Sequence, residues 1–287
     1  RRVVDRVLGV PLEKLELFTT HDMDRPGLVA ALADEPACAD AFIAHLAARE
    51  RRWTFLELIE QEAGGALAAA ADRLAGGGFY VRRFPNNPNA TISLGNGFDP
   101  WFRGLGGFRG NLIRRTRTLL EQGELQLWAS AGRGGAQAML DLYLDLERRS
   151  WKQAAHAGIG RHPTRIKLFR AALSPPQEMA PLFHWLLLDG LPIAGMLSLG
   201  YGDTLFQMEL AYDEAFKGLA PGNVLFMLAM RDAADRGVRA VNLLGNFAYH
   251  KSRWDAAITT TDAVQVYRRP SLHWFKARAG ELKRRLE

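Results

Sequence analysis

Apolar positions along the chain keep two rhythms. Alternation or short apolar runs mark strands, and recurrence on one helical face marks helices. In the first third, "KLELFTT" and "WTFLELI" read as strands, "CADAFIAHLAARE" and "ALAAAADRLA" as helices, and "GFYVRRF" with "ATISLG" as a strand pair. Gly76, Gly77 and Gly78 follow the second helix and supply the free backbone on which helices stop.

A basic helix around residues 108–122 comes next, then a strand "ELQLWAS" and a long helix "QAMLDLYLDLERRSW". In that helix Met139, Leu142, Leu144 and Leu146 form the expected buried stripe. Another helix is expected at about 163–173. Past Pro175 and Pro176, "LFHWLLLDGLPIAGMLSLGYGDTLFQMELAYD" reads as three strands joined at Asp189-Gly190 and Gly202-Asp203, pairs that hairpin turns prefer. A three-stranded antiparallel meander follows from that pattern. By alternation Gln207, Glu209 and Ala211 share one face of its last strand, and Met208 and Leu210 the other.

"FKGLAPGNVLFMLAMRDAADRGVRAVNLLG" then gives a Gly- and Pro-rich loop, a helix beginning near Asn223 and a short strand. "ITTTDAVQVYRR" adds one or two strands before a basic C-terminal helix. Helices and strands alternating in this way predict the α/β (α+β) class. The first third repeats part of the later element order without similarity at the residue level. Residues 1–104 are therefore expected to be a partial copy of the unit in 105–287.

Composition changes the picture in three places. A chain of 287 residues with 48% hydrophobic content has the length for two ordinary domains and the apolar content of a soluble globular protein. Lys plus Arg exceeds Asp plus Glu by 37 to 31, which fits a phosphate-bearing partner and equally a merely Arg-rich composition. One cysteine, Cys38, excludes an internal disulfide, and no apolar run has the length of a membrane span, so a cytoplasmic protein is expected. The first residue is Arg and not Met, so a missing start is also expected. Among chemistries, the pattern offers no metal-ligand cluster, no Gly-x-Ser-x-Gly elbow, no Walker loop and no Rossmann fingerprint.

The loop before the helix at 223 is the candidate site. A helix start exposes unpaired N–H groups and the positive end of its dipole, and glycine there lets an anion approach closely. Lys217 can add a point charge. The plain alternative is a turn at Pro221 and Gly222 with Asn223 as an ordinary cap. Lys217, Ala220 and Gly222 match the spacing of the Arg/Gln-x-x-Gly-x-Gly/Ala signature of GNAT acyltransferases, with Ala220 in place of the first glycine. "LERRSWK", "LLLDGLPIAGMLS", "YDEAFKGLAPGNVLF" and "GNFAYHKSRW", in that order, resemble the CelD-like branch, which is related to FemAB-type tandem GNAT proteins. The resemblance covers residues 105–255 well and the first hundred weakly.

It implies a GNAT fold: a mixed, mostly antiparallel central sheet flanked by helices, with an incomplete GNAT-like N-terminal half. It further implies an N-acyltransferase that moves an acyl group from acetyl-CoA or another acyl-CoA to an amine, such as an amino sugar or a cell-envelope or exopolysaccharide precursor. Backbone around Leu210, Ala211 and Tyr212 would line the pantetheine arm. Residues 217–224, that is Lys217, Gly218, Leu219, Ala220, Gly222, Asn223 and Val224 with Pro221 among them, would hold the pyrophosphate.

Glu209 is the candidate general base, because burial in an otherwise apolar strand suits a proton acceptor. A solvated strand-face carboxylate is its alternative, and Asp213 is the second choice. Tyr249 is placed by the family pattern near the departing sulfur as the acid, or it closes the core beside Phe247. His250 separates it from Lys251, whereas the family has Tyr followed directly by Lys. Trp151 and Lys152 are expected at the acceptor cleft, although a core tryptophan is the commoner use. Arg114, Arg115 and Arg117 make a basic helix face for phosphates or for solvent. Two other readings stay open: an aminoacyl-tRNA donor, and a GNAT scaffold that binds without catalysing.

Overall fold

The computed structural model describes residues 1–18, 26–132, 134–174, 179–245 and 249–286. Contacts divide the chain into Arg1–Pro88 with Thr259–Glu287, and Asn89–Ile258. The division is discontinuous and differs from the one expected at residue 104.

The first unit opens on an antiparallel hairpin of β1 (Arg2–Val7) and β2 (Val10–Glu16), a pairing that the hydrophobic pattern did not mark. Strand β1 alternates exposed and half-buried residues up to Val7, so its short apolar run is diluted by Arg2, Asp5 and Arg6. Helix α1 (Glu35–Ala48), β3 (Trp53–Gln61) and α2 (Ala66–Asp72) follow. The expected strand pair is instead one strand, β4 (Phe79–Ser93), with Pro85 and Pro88 inside it. A proline removes one ladder donor but leaves the extended backbone intact, which is why the pattern there suggested a break. The apolar faces of α1, α2 and β3 close a core around Ile43, Trp53, Leu58 and Ala68.

The second unit adds α3 (Phe98–Gly104), α4 (Gly107–Leu120), β5 (Leu125–Ala131), α5 (Ala136–Arg148), α6 (Trp151–Ala154), α7 (Pro163–Ala172), β6 (Ala180–Leu188), β7 (Leu191–Tyr201), β8 (Thr204–Tyr212), α8 (Pro221–Asp235) and β9 (Ala240–Asn242). Strand β10 (Ala257–Arg268) and helix α9 (Leu272–Leu286) return the chain to the first unit, where β10 pairs antiparallel with β3. Within the second unit the strand order is β4-β9-β8-β7-β6-β5; among the described residues β8 and β9 run parallel and the other neighbours antiparallel. This is the mixed, mostly antiparallel sheet flanked by helices that was expected. Asp189 and Gly190, both at positive φ, make the tight β6–β7 turn, in the conformation that matches strand twist.

Helices cover both faces of the meander. Leu140, Tyr143 and Leu146 of α5 and Phe169 of α7 pack on Phe183, Trp185 and Leu197. On the other face Val224, Leu225, Ala229 and Met230 of α8 meet Ala194 and Met196, with Leu112 and Leu119 of α4 beside them. The buried stripe of α5 is therefore Leu140, Tyr143, Leu144, Leu146 and Glu147, and the expected Met139 and Leu142 are only partly buried. At the far end of α8, Asp232 accepts a hydrogen bond of 2.9 Å from the buried His184.

Candidate active site

Strand β8 positions the site because it loses a neighbour. It pairs with β9 only at Thr204, Leu205 and Phe206. Among the described residues, its ladder beyond that point is with β7, closed by Asp213 N donating to Ile193 O at 2.9 Å. Antiparallel ladders bond alternate residues, so Glu209, Ala211 and Asp213 direct their backbone groups to β7, and Leu210 and Tyr212 turn theirs to the edge that β9 has left. The expected face pattern needs one correction. The register slips between the Leu197–Glu209 and Ser198–Gln207 pairs, leaving Met208 bulged. A bulge reverses alternation, so Gln207 lies on the face opposite Glu209 and Ala211.

The loop after β8 is more ordered than a glycine-rich cradle. Residues Glu214–Leu219 form 3-10 turns, started by Asp213, whose side chain accepts from Ala215 N at 3.0 Å. Phe216 N donates to Asp213 O and Ala220 N to Lys217 O, so part of the loop's N–H supply is spent internally. Ala220 sits in the left-handed region at φ 53, ψ 50, and α8 begins at Pro221, two residues before Asn223. Proline belongs at a helix's first position because its missing N–H is not needed there. Asn223 is thus inside the first turn, its N donating to Ala220 O at 3.1 Å, and caps nothing with its side chain.

Gly222 has a packing reason. A Cβ there would meet Leu210 and Tyr212 at 3.1 Å each, so its lack of a side chain lets α8 lie against β8. Val224 is fully buried, Leu219 packs on the same core, and Lys217 is exposed with its amine 3.3 Å from Glu214. Arg115 of the basic helix donates to Gly218 O and ties the loop down. Burial, reinforced by Glu214, raises the Tyr212 phenol above its ordinary range.

On the other face of β8 lies a buried charged cluster. Glu209 accepts from Lys152 Nζ and, at 2.8 Å, from Arg165. Lys152 also reaches Tyr143 Oη at 3.2 Å, and its amine lies 3.9 Å from Glu147. Glu147 in turn accepts the N–H groups of Ile159 and Gly160. Burial, with Glu209 and Glu147 adding to it, pushes the Tyr143 phenol well above its ordinary value, so it stays protonated. The environment of Glu209 is buried, but it is not apolar. Ser150 caps α6 by accepting from Lys152 N, which turns Lys152 inward and leaves Trp151 43% exposed.

Trp151 lines an open cleft of ≈ 520 Å³ together with Arg148, Arg149, Arg161, Glu214 and Lys217. Asp213 is held there by Arg149 Nε at 2.7 Å. The structure therefore brings together Glu209 with Lys152, and Asp213, Lys217 and Trp151 around the cleft. Sequence reasoning did not find Tyr143, Arg149 or Arg165; only "LERRSWK" hinted at a charged cluster, and nothing around Arg165 did. Tyr249 and Lys251 begin the 3-10 segment Tyr249–Trp254, with His250 between them, but their side chains, and residue 247, lie outside the described residues. Among the described residues no group of three metal-ligating side chains occurs, and no helix is long and apolar enough to cross a membrane.

A family model described as an acetyltransferase (GNAT) domain matches residues 106–252. Among solved structures, the chain is similar to a C-terminal DUF2156 domain from Agrobacterium fabrum, described as part of a lysylphosphatidylglycerol synthetase: TM-score 0.59, 13% identity, 83% of this chain and 75% of that one. FemX matches with TM-score 0.57 and 12% identity over 92% of this chain and 83% of its own. L-PGS from Bacillus licheniformis matches with TM-score 0.52 and 11% identity, over 84% and 75%. At these identities the likeness is one of fold alone. Among curated proteins no significant match is found.

Proposed function

The chain belongs to the acetyltransferase (GNAT) family, and from that premise we propose that it transfers an acyl group from acyl-CoA to an amine acceptor such as an amino sugar or envelope-glycan precursor. One observation carries the reading. Strand β8 is left by β9 after Phe206, and the same strand end faces the start of α8. A pantetheine arm needs a row of free backbone donors and acceptors, which Leu210 and Tyr212 offer. A pyrophosphate needs positive potential at a helix start, which the Gly222 N–H, the dipole of α8 and Lys217 can supply. When bound, the acyl-CoA supplies an activated thioester carbonyl.

In this reading the chain's own groups do the following. The N–H groups at the open β8 edge bind the donor and polarise the carbonyl that the amine attacks. The carboxylate of Glu209 is occupied by Lys152 and Arg165, so an amine reaching it must displace a cation. We therefore assign Glu209 to holding that cluster as a positioning residue, in place of direct proton removal. Tyr249 remains the proposed proton donor to the departing thiolate, and the proton that the attacking nitrogen releases passes through water to the Tyr249 phenolate, so that the step returns the phenol to its starting state.

A second reading, with an aminoacyl-tRNA donor, is favoured by the cleft's charge, where Arg148, Arg149, Arg161 and Lys217 outnumber the carboxylates of Glu214 and the adjoining Asp213. Thermal-shift titration with acetyl-CoA, longer acyl-CoAs and charged tRNA separates the two. Stabilisation by CoA compounds is the expected result. A response to charged tRNA alone moves the assignment to the second reading, and silence toward all three would overturn both. Glu209→Gln tests the role of Glu209: as a positioning residue it alters KM and stability and keeps the shape of the pH profile of kcat. Loss of the basic ionisation from that profile would return Glu209 to the part of base.

A further inference from the structure

The C-terminal helix α9 is fixed to the first unit on one side. His273, 4% exposed, bonds Thr54 Oγ1 at 2.7 Å and Asp5 at 3.1 Å, Ala277 packs with Phe55 and Tyr267, and Tyr80 donates to Glu281. The opposite side is a different surface. Phe275 and Leu282 are 55% and 61% exposed, and with the exposed Ala279 they stand at i, i+7 and i+4, one above the other on the outward face. At 100° per residue, Lys276 and Lys283 flank this ridge on one side and Arg278 on the other, all exposed. Arg278 pairs with Glu281 and lies over the Tyr80 ring, which holds its guanidinium at the ridge's border.

We propose that this face of α9 docks on an anionic lipid surface, with Phe275 and Leu282 entering the headgroup–acyl boundary and Lys276, Lys283 and Arg278 meeting the lipid phosphates. An apolar ridge between two basic borders is the arrangement that an interfacial helix requires. A nucleic acid would use the cations and leave the ridge in water. A second copy of this chain would bring like charges together along both borders. The rigid seat on β1 and β3 means that no folding of the helix is needed on contact.

Flotation of the full-length protein with vesicles tests the proposal. Phosphatidylcholine vesicles containing phosphatidylglycerol should carry roughly tenfold or more protein than phosphatidylcholine alone, with the difference erased by high salt. Phe275→Ser with Leu282→Ser, and separately Lys276→Glu with Lys283→Glu, should each abolish flotation while leaving the native circular-dichroism spectrum in place, since all four side chains are exposed and the helix stays seated through His273 and Ala277. Absence of flotation would overturn the proposal. So would binding that survives loss of the ridge, the signature of general charge attraction or of a nucleic-acid surface. A self-associating species in equilibrium sedimentation that the serine pair dissolves would assign the face to a second copy instead.

Discussion

The carboxylate of Glu209 illustrates how a single side chain changes meaning between sequence and structure. In "LFQMELAY" it is the one acidic residue in an otherwise largely apolar strand, and that isolation is what suggested a proton acceptor. Folding places Lys152 and Arg165 on it, and removing one of the two leaves a buried carboxylate short of a partner. Lys152→Met is expected to destabilise the protein by about 3 kcal/mol in urea unfolding. Adding Glu209→Leu should recover part of this loss, with a coupling of about 1–3 kcal/mol. Strictly additive losses would mean the two groups do not share a network.

A second residue carries a pH dependence. The hydrogen bond from His184, with Arg236 adding to it, lowers the Asp232 carboxyl to about 2. A carboxyl whose folded value lies below its unfolded one stabilises the fold above pH ~4 and loses that contribution as pH falls toward 2. Urea midpoints of the parent and Asp232→Asn should therefore differ at pH 7 and converge as the pH is lowered through that window. A gap that stays constant would remove the ion-pair explanation.

At the level of elements, the hydrophobic rhythm revealed the meander and the helices that cover it, because both faces of those strands are buried and their turns use Asp-Gly chemistry. It did not reveal the bulge at Met208, which is a matter of pairing with β7. Nor did it show that residues 214–219 coil into 3-10 turns. The glycine signature was visible, but its cause was not. Gly222 answers to Leu210 and Tyr212 across an interface that exists only when α8 lies on β8. Gly222→Val should cost about 1–3 kcal/mol through that overlap, read in thermal unfolding. Position 220 behaves differently, because its left-handed backbone is independent of neighbours. Ala220→Gly should be close to neutral, whereas Ala220→Val should cost about 1–2 kcal/mol. Equal effects of Gly and Val at 220 would contradict the left-handed conformation.

For the whole molecule, a donor that binds only the folded chain must raise its stability by mass action. At a hundredfold excess over Kd, acyl-CoA should add about 2.7 kcal/mol, and hydrogen exchange should slow along residues 207–224 before it slows elsewhere. Protection confined to the first unit would place the donor away from β8. The chain by itself determined its α/β alternation, the meander, the basic C-terminal helix and the order of motifs, because periodicity, turn residues and glycine spacing act locally along the backbone. Tertiary structure alone decided that residues 259–287 return to the first unit, that Glu209 lies between two cations, and that β9 leaves β8 at Phe206. Each of these depends on groups far apart in sequence meeting in a low-dielectric interior, where the energy belongs to the pair and neither residue carries it alone.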